Sequence, residues 1–306
     1  MKTYKFSDIA PLIEGTSHRV IGDRDAVAVT RASALAGADR ASIVWIGPGL
    51  ANAEGALLLT PASLVIAHES IEAGSPAGKC VLATAQPRLL FALIVNALFV
   101  PRVQPGVHAT AFIDPRARVA ASAHVGPFAF VGAAEVGEGA VIGGHCHVHD
   151  GVVIGARCVL GPNCVVGASG SGYVRAEDGS WVDFPQLGTV VLEDDVQIGA
   201  NSYVARGALG ETRIRRGARI GLAACIGHNC DIGERAMILA SAVVGGSARV
   251  GPDAWISMGA VIRDGIAVGP RARVMMGAVV YKDLAEDAAV GGNPGRLVPR
   301  SQSGPR

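Results

Sequence analysis

The strongest constraint on this chain is a six-residue period of branched aliphatic side chains. From Ile214 to Val280 an Ile or Val recurs at every sixth position, twelve times without a miss, and shorter series run through residues 107–131, 136–166 and 192–204. The residue two places earlier is usually small, as at Ala218 and Ala236. This period fits neither an amphipathic helix nor an alternating strand. It predicts short strands joined by tight corners, with one large and one small side chain of each strand directed inward.

Three such strands complete a coil of eighteen residues, and coils stack at about 4.8 Å. Residues eighteen apart therefore become neighbours. We predict a mainly β chain with a parallel β-helix over residues 103–283. The period does not determine the handedness of the helix. The general rule for parallel crossovers favours a right-handed one. Residues 1–102 lack the period and mix strand-like runs with a helix from Pro87 to Phe99, which predicts a small α/β domain. Residues 284–306 are predicted to be a tail.

Composition narrows the class of protein. With 50% hydrophobic residues, 5% aromatic residues and a net charge of +1, the chain has no basic excess for nucleic acid. Its longest apolar run, residues 89–100, is too short to span a bilayer, and the first residues do not resemble a secretory signal, so we predict a cytoplasmic protein. Four cysteines occupy the small inward position, which favours packing over disulfides: Cys146, Cys158, Cys164 and Cys230.

Two interruptions of the period are candidates for functional loops. The longer covers residues 167–191, and the shorter inserts four residues between Val204 and Ile214. Both precede His228, which lies two places after the inward Ile226 and therefore at a corner. Gly246 follows eighteen residues later, so its backbone amide should lie about one strand spacing away. A base beside an oxyanion donor suits acyl transfer. The alternative is a solvated corner histidine and a plain turn glycine.

The alternating His145, His147 and His149 suggest a metal site, but Val148 points inward, so its flanking histidines point outward without a carboxylate cluster. A symmetric interface of stacked imidazoles is favoured over a metal site, and a plain surface is favoured over both. No metal is predicted.

Several motifs resemble the UDP-3-O-acylglucosamine N-acyltransferases of the lipid A pathway, often called LpxD. The match begins at FSDIAPLIEG and is strongest at GSGYV...GSWVDFPQLG, which is similar to GFGYA...GxWVKIPQxG. RGALGET is similar to DRGALxDT, and IGHNCDIG to IAHNVxIG. The resemblance implies a left-handed helix, a homotrimer, His228 as catalytic base and the Gly246 amide as oxyanion donor. We also predict substrate contacts at Asn229, Gln186, Arg206 and Trp45, and co-substrate contacts at Gly259, Gly277, Asn293 and Pro294.

The chain also departs from the family pattern. Ile220, Gly221 and Leu222 replace an IDN motif, and Ala205 replaces an acidic residue. Gly265 stands where family members have a second histidine, and Val44 and Leu50 match aromatic residues that stack on uracil. The ending VGGNPGRLV resembles the VxGNPAKxV close of coenzyme A-dependent hexapeptide acetyltransferases.

Three functions therefore stay open. The first is an N-acyltransferase that moves an acyl chain from acyl carrier protein to the amine of a UDP-linked amino sugar. The second is an acetyl-CoA or acyl-CoA transferase on another nucleotide-linked amino sugar for a surface glycan. The third is a non-catalytic structural trimer. Neither enzyme would need a permanently bound cofactor, because acyl carrier protein or coenzyme A thioesters are co-substrates. A basic patch of Arg271, Arg273, Arg296, Arg300 and Arg306 would suit either anionic donor.

Overall fold

The six-residue period folds into a parallel β-solenoid in the computed structural model, which describes residues 2–71 and 77–297. Most strands are two residues long, and three of them make a coil. Corresponding strands of successive coils pair in parallel, as between Ile226 and Val244. In this described part the solenoid has sheets of nine, eight and eleven strands, which we call face 1, face 2 and face 3. The mainly β prediction is confirmed.

The strands follow one another in the order face 3, face 1, face 2 around each coil. Face 1 consists of Phe112–Ile113, Phe130–Val131, His147–Val148, Val165–Ala168, Tyr203–Ala205, Cys225–Ile226, Val243–Val244, Val261–Ile262 and Val279–Val280. Face 2 consists of Arg118–Val119, Glu135–Val136, Val153–Ile154, Thr189–Leu192, Glu211–Ile214, Asp231–Ile232, Arg249–Val250 and Ala267–Val268. Face 3 consists of Gly106–Val107, His124–Val125, Val141–Ile142, Val159–Leu160, Gln197–Ile198, Arg219–Ile220, Met237–Ile238, Trp255–Ile256, Arg273–Val274, Ala289–Gly291 and, antiparallel at its end, Arg296–Leu297.

The core of the solenoid follows from the sequence pattern. The second residue of a typical strand is a buried aliphatic, such as Ile142 or Ile238, and the residue two places earlier is a buried small one, such as Ala140 or Ala236. Each large side chain contributes about 1.5–3 kcal/mol through its removal from water. The four inward cysteines are buried, as their position in the repeat predicted.

The register changes wherever the period is broken. Phe130 pairs with His147, seventeen positions on, where one residue is missing from the repeat. The prediction that the solenoid ends at residue 283 is wrong. Val268 bridges to Leu284 and Val274 pairs with Val290, so the last coil continues with sixteen residues per turn. Because this coil is two residues shorter than the eighteen-residue coils, its aliphatic residues do not follow the six-residue period, and the sequence pattern did not predict it.

Residues 1–102 form a separate compact unit. Its helices are Phe6–Ile9, Ala53–Leu59 and Pro87–Leu98, with 3-10 turns at Ala10–Leu12 and Leu35–Gly37. Its sheet has the order Arg19–Gly22, Cys80–Thr84, Leu64–His68, Ser42–Ile46 and Arg31–Ala32, and only the first of these strands is antiparallel. The helix predicted from Pro87 to Phe99 is present and ends one residue earlier, at Leu98. No helix among residues 2–71 and 77–297 is long and apolar enough to cross a membrane.

Candidate active site

Both interruptions of the period meet at one place, the edge where face 1 turns into face 2. The strand Cys225–Ile226 ends there, and Gly227, His228 and Asn229 form the corner. His228 is half-buried. The coil therefore presents one imidazole at the edge from which the loops emerge.

The imidazole of His228 lies directly over Gly246 of the next coil. A Cβ atom on Gly246 would stand 2.6 Å from Nε2 of His228 and 2.7 Å from Cε1, closer than real Cβ atoms approach other atoms. Within the described residues, no protein acceptor takes the Gly246 N–H. A ring nitrogen and a free backbone donor therefore share one small space, which is the arrangement that stacking predicted.

The backbone itself does not demand glycine at position 246. Gly246 is not among the glycines with positive φ. At other corners of the solenoid the same second position is alanine, as at Ala156, Ala200 and Ala240. The lack of a side chain at Gly246 is thus required by the histidine above it.

Asn229 ties the corner to the shorter interruption. Its Oδ1 accepts from the Ala208 N–H at 2.9 Å, its Nδ2 donates to the Leu209 carbonyl at 2.7 Å, and its own N–H donates to the Thr212 hydroxyl at 2.8 Å. Nδ1 of His228 lies 3.1 Å from the same Oδ1. Asn229 was predicted to contact substrate, but its amide is already occupied by protein groups.

The longer interruption begins and ends inside its predicted range of residues 167–191. The chain stays in face 1 to Ala168, forms an antiparallel hairpin of Tyr173–Arg175 with Trp181–Asp183, and rejoins face 2 at Thr189. A Cβ on Gly170 would lie 3.4 Å from Cδ2 of His228, so the first part of the loop packs beside the imidazole. The loop therefore forms one wall of the site.

The two interruptions are joined to each other by backbone hydrogen bonds. Leu187 donates to the Ala208 carbonyl at 2.8 Å and Gly188 to that of Gly207 at 3.0 Å. Gln186, a predicted substrate contact, therefore lies next to the segment that Asn229 holds. Its Oε1 is buried without a hydrogen-bond partner among the described residues. Because the atom is buried, a donor group of a bound molecule could reach it only if the surrounding loop moved.

Arg206, another predicted substrate contact, is engaged with the backbone. Its Nε donates to the Gly167 carbonyl at 2.6 Å and its Nη2 to the Asp150 carbonyl at 3.0 Å. These bonds fasten the start of the longer loop to the coil before it. The structure therefore gives Arg206 an anchoring role.

The four predicted co-substrate residues lie at a different edge, where face 3 turns into face 1. The Gly277 N–H donates to the Met258 carbonyl, the residue before Gly259, at 2.9 Å. Asn293, next to Pro294, has its Oδ1 3.5 Å from the Tyr281 hydroxyl. The structure brings these residues together, but it separates them from His228 by the width of face 1.

In the N-terminal unit, Trp45 lies on the strand Ser42–Ile46 with 39% of its surface exposed, and its ring packs over Gly47. Val44 is fully buried, whereas Leu50 is 41% exposed. Of the positions considered for a base platform, Trp45 and Leu50 are accessible and Val44 is not.

Two of the three alternating histidines, His147 and His149, belong to a column of aromatic rings. His147 and His149 stack with centroids 4.4 Å apart, His147 meets Phe130 at 4.4 Å, and Phe130 stacks on Phe112 at 5.0 Å. His145 stacks separately on Phe128. Burial, followed by the neighbouring His147, lowers the pKa of His149. No group of three or more metal-ligating side chains occurs in residues 2–71 and 77–297.

The predicted basic patch is smaller than expected. Arg271 forms ion pairs with Asp287 at 2.8 Å and with Glu286, because the shortened last coil brings these carboxylates beside it. Arg296 is exposed on the final strand. Arg300 and Arg306 lie outside the described residues. The prediction that Arg271 contributes to a basic patch is therefore wrong, because its charge is paired with carboxylates of this chain.

Nearby cysteines are poorly suited to carry an acyl group. Burial raises the pKa of the Cys230 thiol to about 12, and burial also raises the pKa of Cys225. A thiolate is the nucleophilic form of cysteine. Both side chains are therefore protonated at neutral pH.

Sequence reasoning did not identify Gly170, Thr212 or Ala208 as neighbours of the site. Gly170 lies in the GSGYV motif and Ala208 in RGALGET, so the resemblance of these motifs to the family was the one indication that both residues belong to the site. Their contacts with His228 and Asn229 could not be read from the period, because both segments lie outside it.

Comparisons with known proteins find hexapeptide-repeat acyltransferases. A family model described as bacterial transferase hexapeptide (six repeats) matches residues 133–168. Over 263 residues, 78% of this chain, the sequence is 39% identical to a UDP-3-O-acylglucosamine N-acyltransferase of Methylobacillus flagellatus, of which the match covers 71%. A match of 69 residues, 22% of this chain, is 49% identical to a protein of that name from Francisella tularensis subsp. holarctica and spans 20% of its length.

A solved structure of UDP-N-acetylglucosamine O-acyltransferase from Moraxella catarrhalis is similar with a TM-score of 0.58 and 22% identity, over 63% of this chain and 73% of that one. At this identity the likeness concerns the fold alone. It confirms the left-handed parallel β-helix that the resemblance implied.

Proposed function

This chain belongs to the UDP-3-O-acylglucosamine N-acyltransferase family, and from that premise we propose that it transfers an acyl group from a thioester to the amine of a UDP-linked amino sugar. The observation that carries the proposal is the imidazole of His228 over the free amide of Gly246, at the junction of both inserted loops. A base and an oxyanion donor in one space are the two groups that amide formation from a thioester needs.

The proposed reaction is a direct transfer. Nε2 of His228 removes a proton from the sugar amine as its nitrogen attacks the thioester carbonyl. The Gly246 N–H donates to the oxygen that becomes negative. The C–S bond then breaks, and the leaving thiolate takes the proton from the protonated His228 and departs as the thiol, which returns the imidazole to its neutral form. The protonated thiols of Cys225 and Cys230 argue against an acyl-enzyme.

For the acceptor, we propose that Gln186 contacts the sugar, and that its Oε1, buried and unpartnered in this structure, accepts a hydrogen bond from a sugar hydroxyl or amine once the loop around it moves. Separately, we propose that the partly exposed ring of Trp45 on the N-terminal unit contacts a nucleotide base. Arg206 shapes the site through the loop it anchors.

The donor is proposed to be acyl carrier protein, as in lipid A synthesis. The rival function is an acetyl-CoA-dependent N-acetyltransferase on another nucleotide-linked amino sugar, which the clustering of Gly259, Gly277 and Asn293 at one edge favours. In that case Pro294 would line the coenzyme A slot. A non-catalytic trimer would not need position 246 to be kept free of a side chain.

The test of this proposal is a direct assay. Purified protein is offered acyl carrier protein thioesters and coenzyme A thioesters with a panel of amino-sugar nucleotides, and free thiol is followed. Thiol release that depends on the amino sugar supports the enzyme. A complete lack of release with every pair would favour the structural trimer.

Deleting residues 291–306 is expected to separate the two donors. The deletion removes Asn293 and Pro294, so it should lower kcat/KM for coenzyme A thioesters much more than for carrier-protein thioesters, if both are used. Deleting residues 299–306 alone is the control that spares the edge. Equal losses for the two donors would show that this segment is not a coenzyme A element.

We further propose a homotrimer. Face 1 carries the exposed column that begins at Phe112, and a three-sided prism with an apolar face readily forms a closed ring. Light scattering is expected to return about three times the chain mass of 31.1 kDa. A monomer under native conditions would contradict the assembly. Phe112→Glu, which places a charge in the column, is expected to shift the protein toward monomer.

A further inference from the structure

We propose that Asn229 is a positioning residue that fixes the tautomer of His228, with the proton on Nδ1 and the lone pair on Nε2. This inference rests on the proposed function for its catalytic meaning, but its structural content can be measured without any activity. It begins with the orientation of the Asn229 amide, which two backbone groups determine independently.

A backbone N–H can only donate and a backbone carbonyl can only accept. Ala208 N–H points at Oδ1 of Asn229 at 2.9 Å, and the Leu209 carbonyl receives Nδ2 at 2.7 Å. Flipping the amide would put two donors face to face and two acceptors face to face. The atom that faces His228 is therefore the oxygen.

Nδ1 of His228 lies 3.1 Å from that oxygen. A neutral imidazole has one N–H and one lone pair, so only the Nδ1–H form makes a hydrogen bond here. In the other tautomer two lone pairs would oppose each other in a half-buried place. The lone pair is thereby assigned to Nε2, the ring atom that lies over Gly246.

This arrangement answers a departure in the sequence. Ala205 stands where the family motif DRGALxDT has its first acidic residue. It is buried, and its methyl side chain offers the imidazole no hydrogen-bond acceptor. Within the described residues, no carboxylate forms an ion pair or hydrogen bond with His228. A neutral amide performs the orientation without stabilising the imidazolium as a carboxylate would.

Asn229 is also held rigidly enough for this role. Its backbone has a φ of 58°, and its N–H donates to the buried Thr212 hydroxyl. Asn201 occupies the same third corner position on another edge with a φ of 60°. A left-handed corner alone can explain Asn201, and it serves as the matched control for Asn229.

The experiment compares Asn229→Asp, Asn229→Leu and Asn201→Asp in the full chain. Nitrogen NMR of isotope-labelled histidine, with His228 assigned by its loss in His228→Ala, reports the tautomer directly. We expect the Nδ1–H form in the wild type and a shift toward the Nε2–H form in Asn229→Leu. An Nε2–H wild type, or an unchanged tautomer in Asn229→Leu, would overturn the inference.

The pH profile gives a second reading. Asn229→Asp keeps an acceptor at Nδ1 but adds a charge, so the acid limb of kcat/KM should move to higher pH by about one unit or more. Asn201→Asp should leave the limb in place. Asn229→Leu should lower kcat by about tenfold or more with a smaller change in KM. An unmoved limb in a folded Asn229→Asp contradicts the role. A correct tautomer with an inactive wild type would instead refute the proposed function alone.

Discussion

His228→Ala is expected to lower the rate of amide formation by about two to four orders of magnitude, the usual contribution of a positioned general base. At neutral pH the sugar amine must lose a proton as it attacks, and the nearby thiols of Cys225 and Cys230 cannot accept it because burial raises their pKa values and keeps them protonated. The residual rate should come from binding and from the Gly246 amide. The measurement is single-turnover release of thiol at saturating sugar nucleotide.

Two controls make this result specific. His124→Ala removes an imidazole that hydrogen-bonds to the Gln104 carbonyl on face 3, and it should leave turnover within about twofold. Replacing Cys225 and Cys230 together by alanine should also preserve most activity. Near wild-type turnover in a folded His228→Ala would remove the base assignment, and an acyl-thioester trapped on either cysteine would replace the direct transfer with a two-step scheme.

The solenoid was predictable because each strand contributes one obligatory inward aliphatic. Ile226 and Val244 could be placed on neighbouring coils from their spacing alone, and so could His228 and Gly246 two residues later. The same reasoning failed at Leu284 and Val290. The last coil has sixteen residues, so these two side chains do not fall on the six-residue period that identified the other coils.

The side-chain contacts around the site could not be predicted from the six-residue period, for a different reason. Arg206 is a cation in a loop, and the sequence cannot show whether its guanidinium meets a substrate or the carbonyls of Gly167 and Asp150. Asn229 is an amide at a left-handed corner, a position that asparagine also takes for purely conformational reasons. Only the side-chain geometry distinguishes an anchor from a ligand.

Gly246→Ala is expected to reduce turnover by about two to three orders of magnitude, comparable to the loss of an oxyanion donor. The new Cβ would stand 2.6 Å from Nε2 of His228, so the imidazole must rotate away from the amide. The fold should tolerate the change, because alanine occupies the same corner position at Ala156 and Ala200. We therefore expect a lost rate with a melting midpoint close to that of the wild type.

The double variant distinguishes a shared site from two unrelated defects. If the imidazole and the amide act on one transition state, His228→Ala with Gly246→Ala should be about as slow as the slower single variant, since groups that act as a unit give non-additive losses. Without the imidazole, the added methyl meets no ring, and its own penalty should largely vanish. Losses that multiply across the pair would mean that Gly246 contributes through the coil and not through the space it leaves for His228.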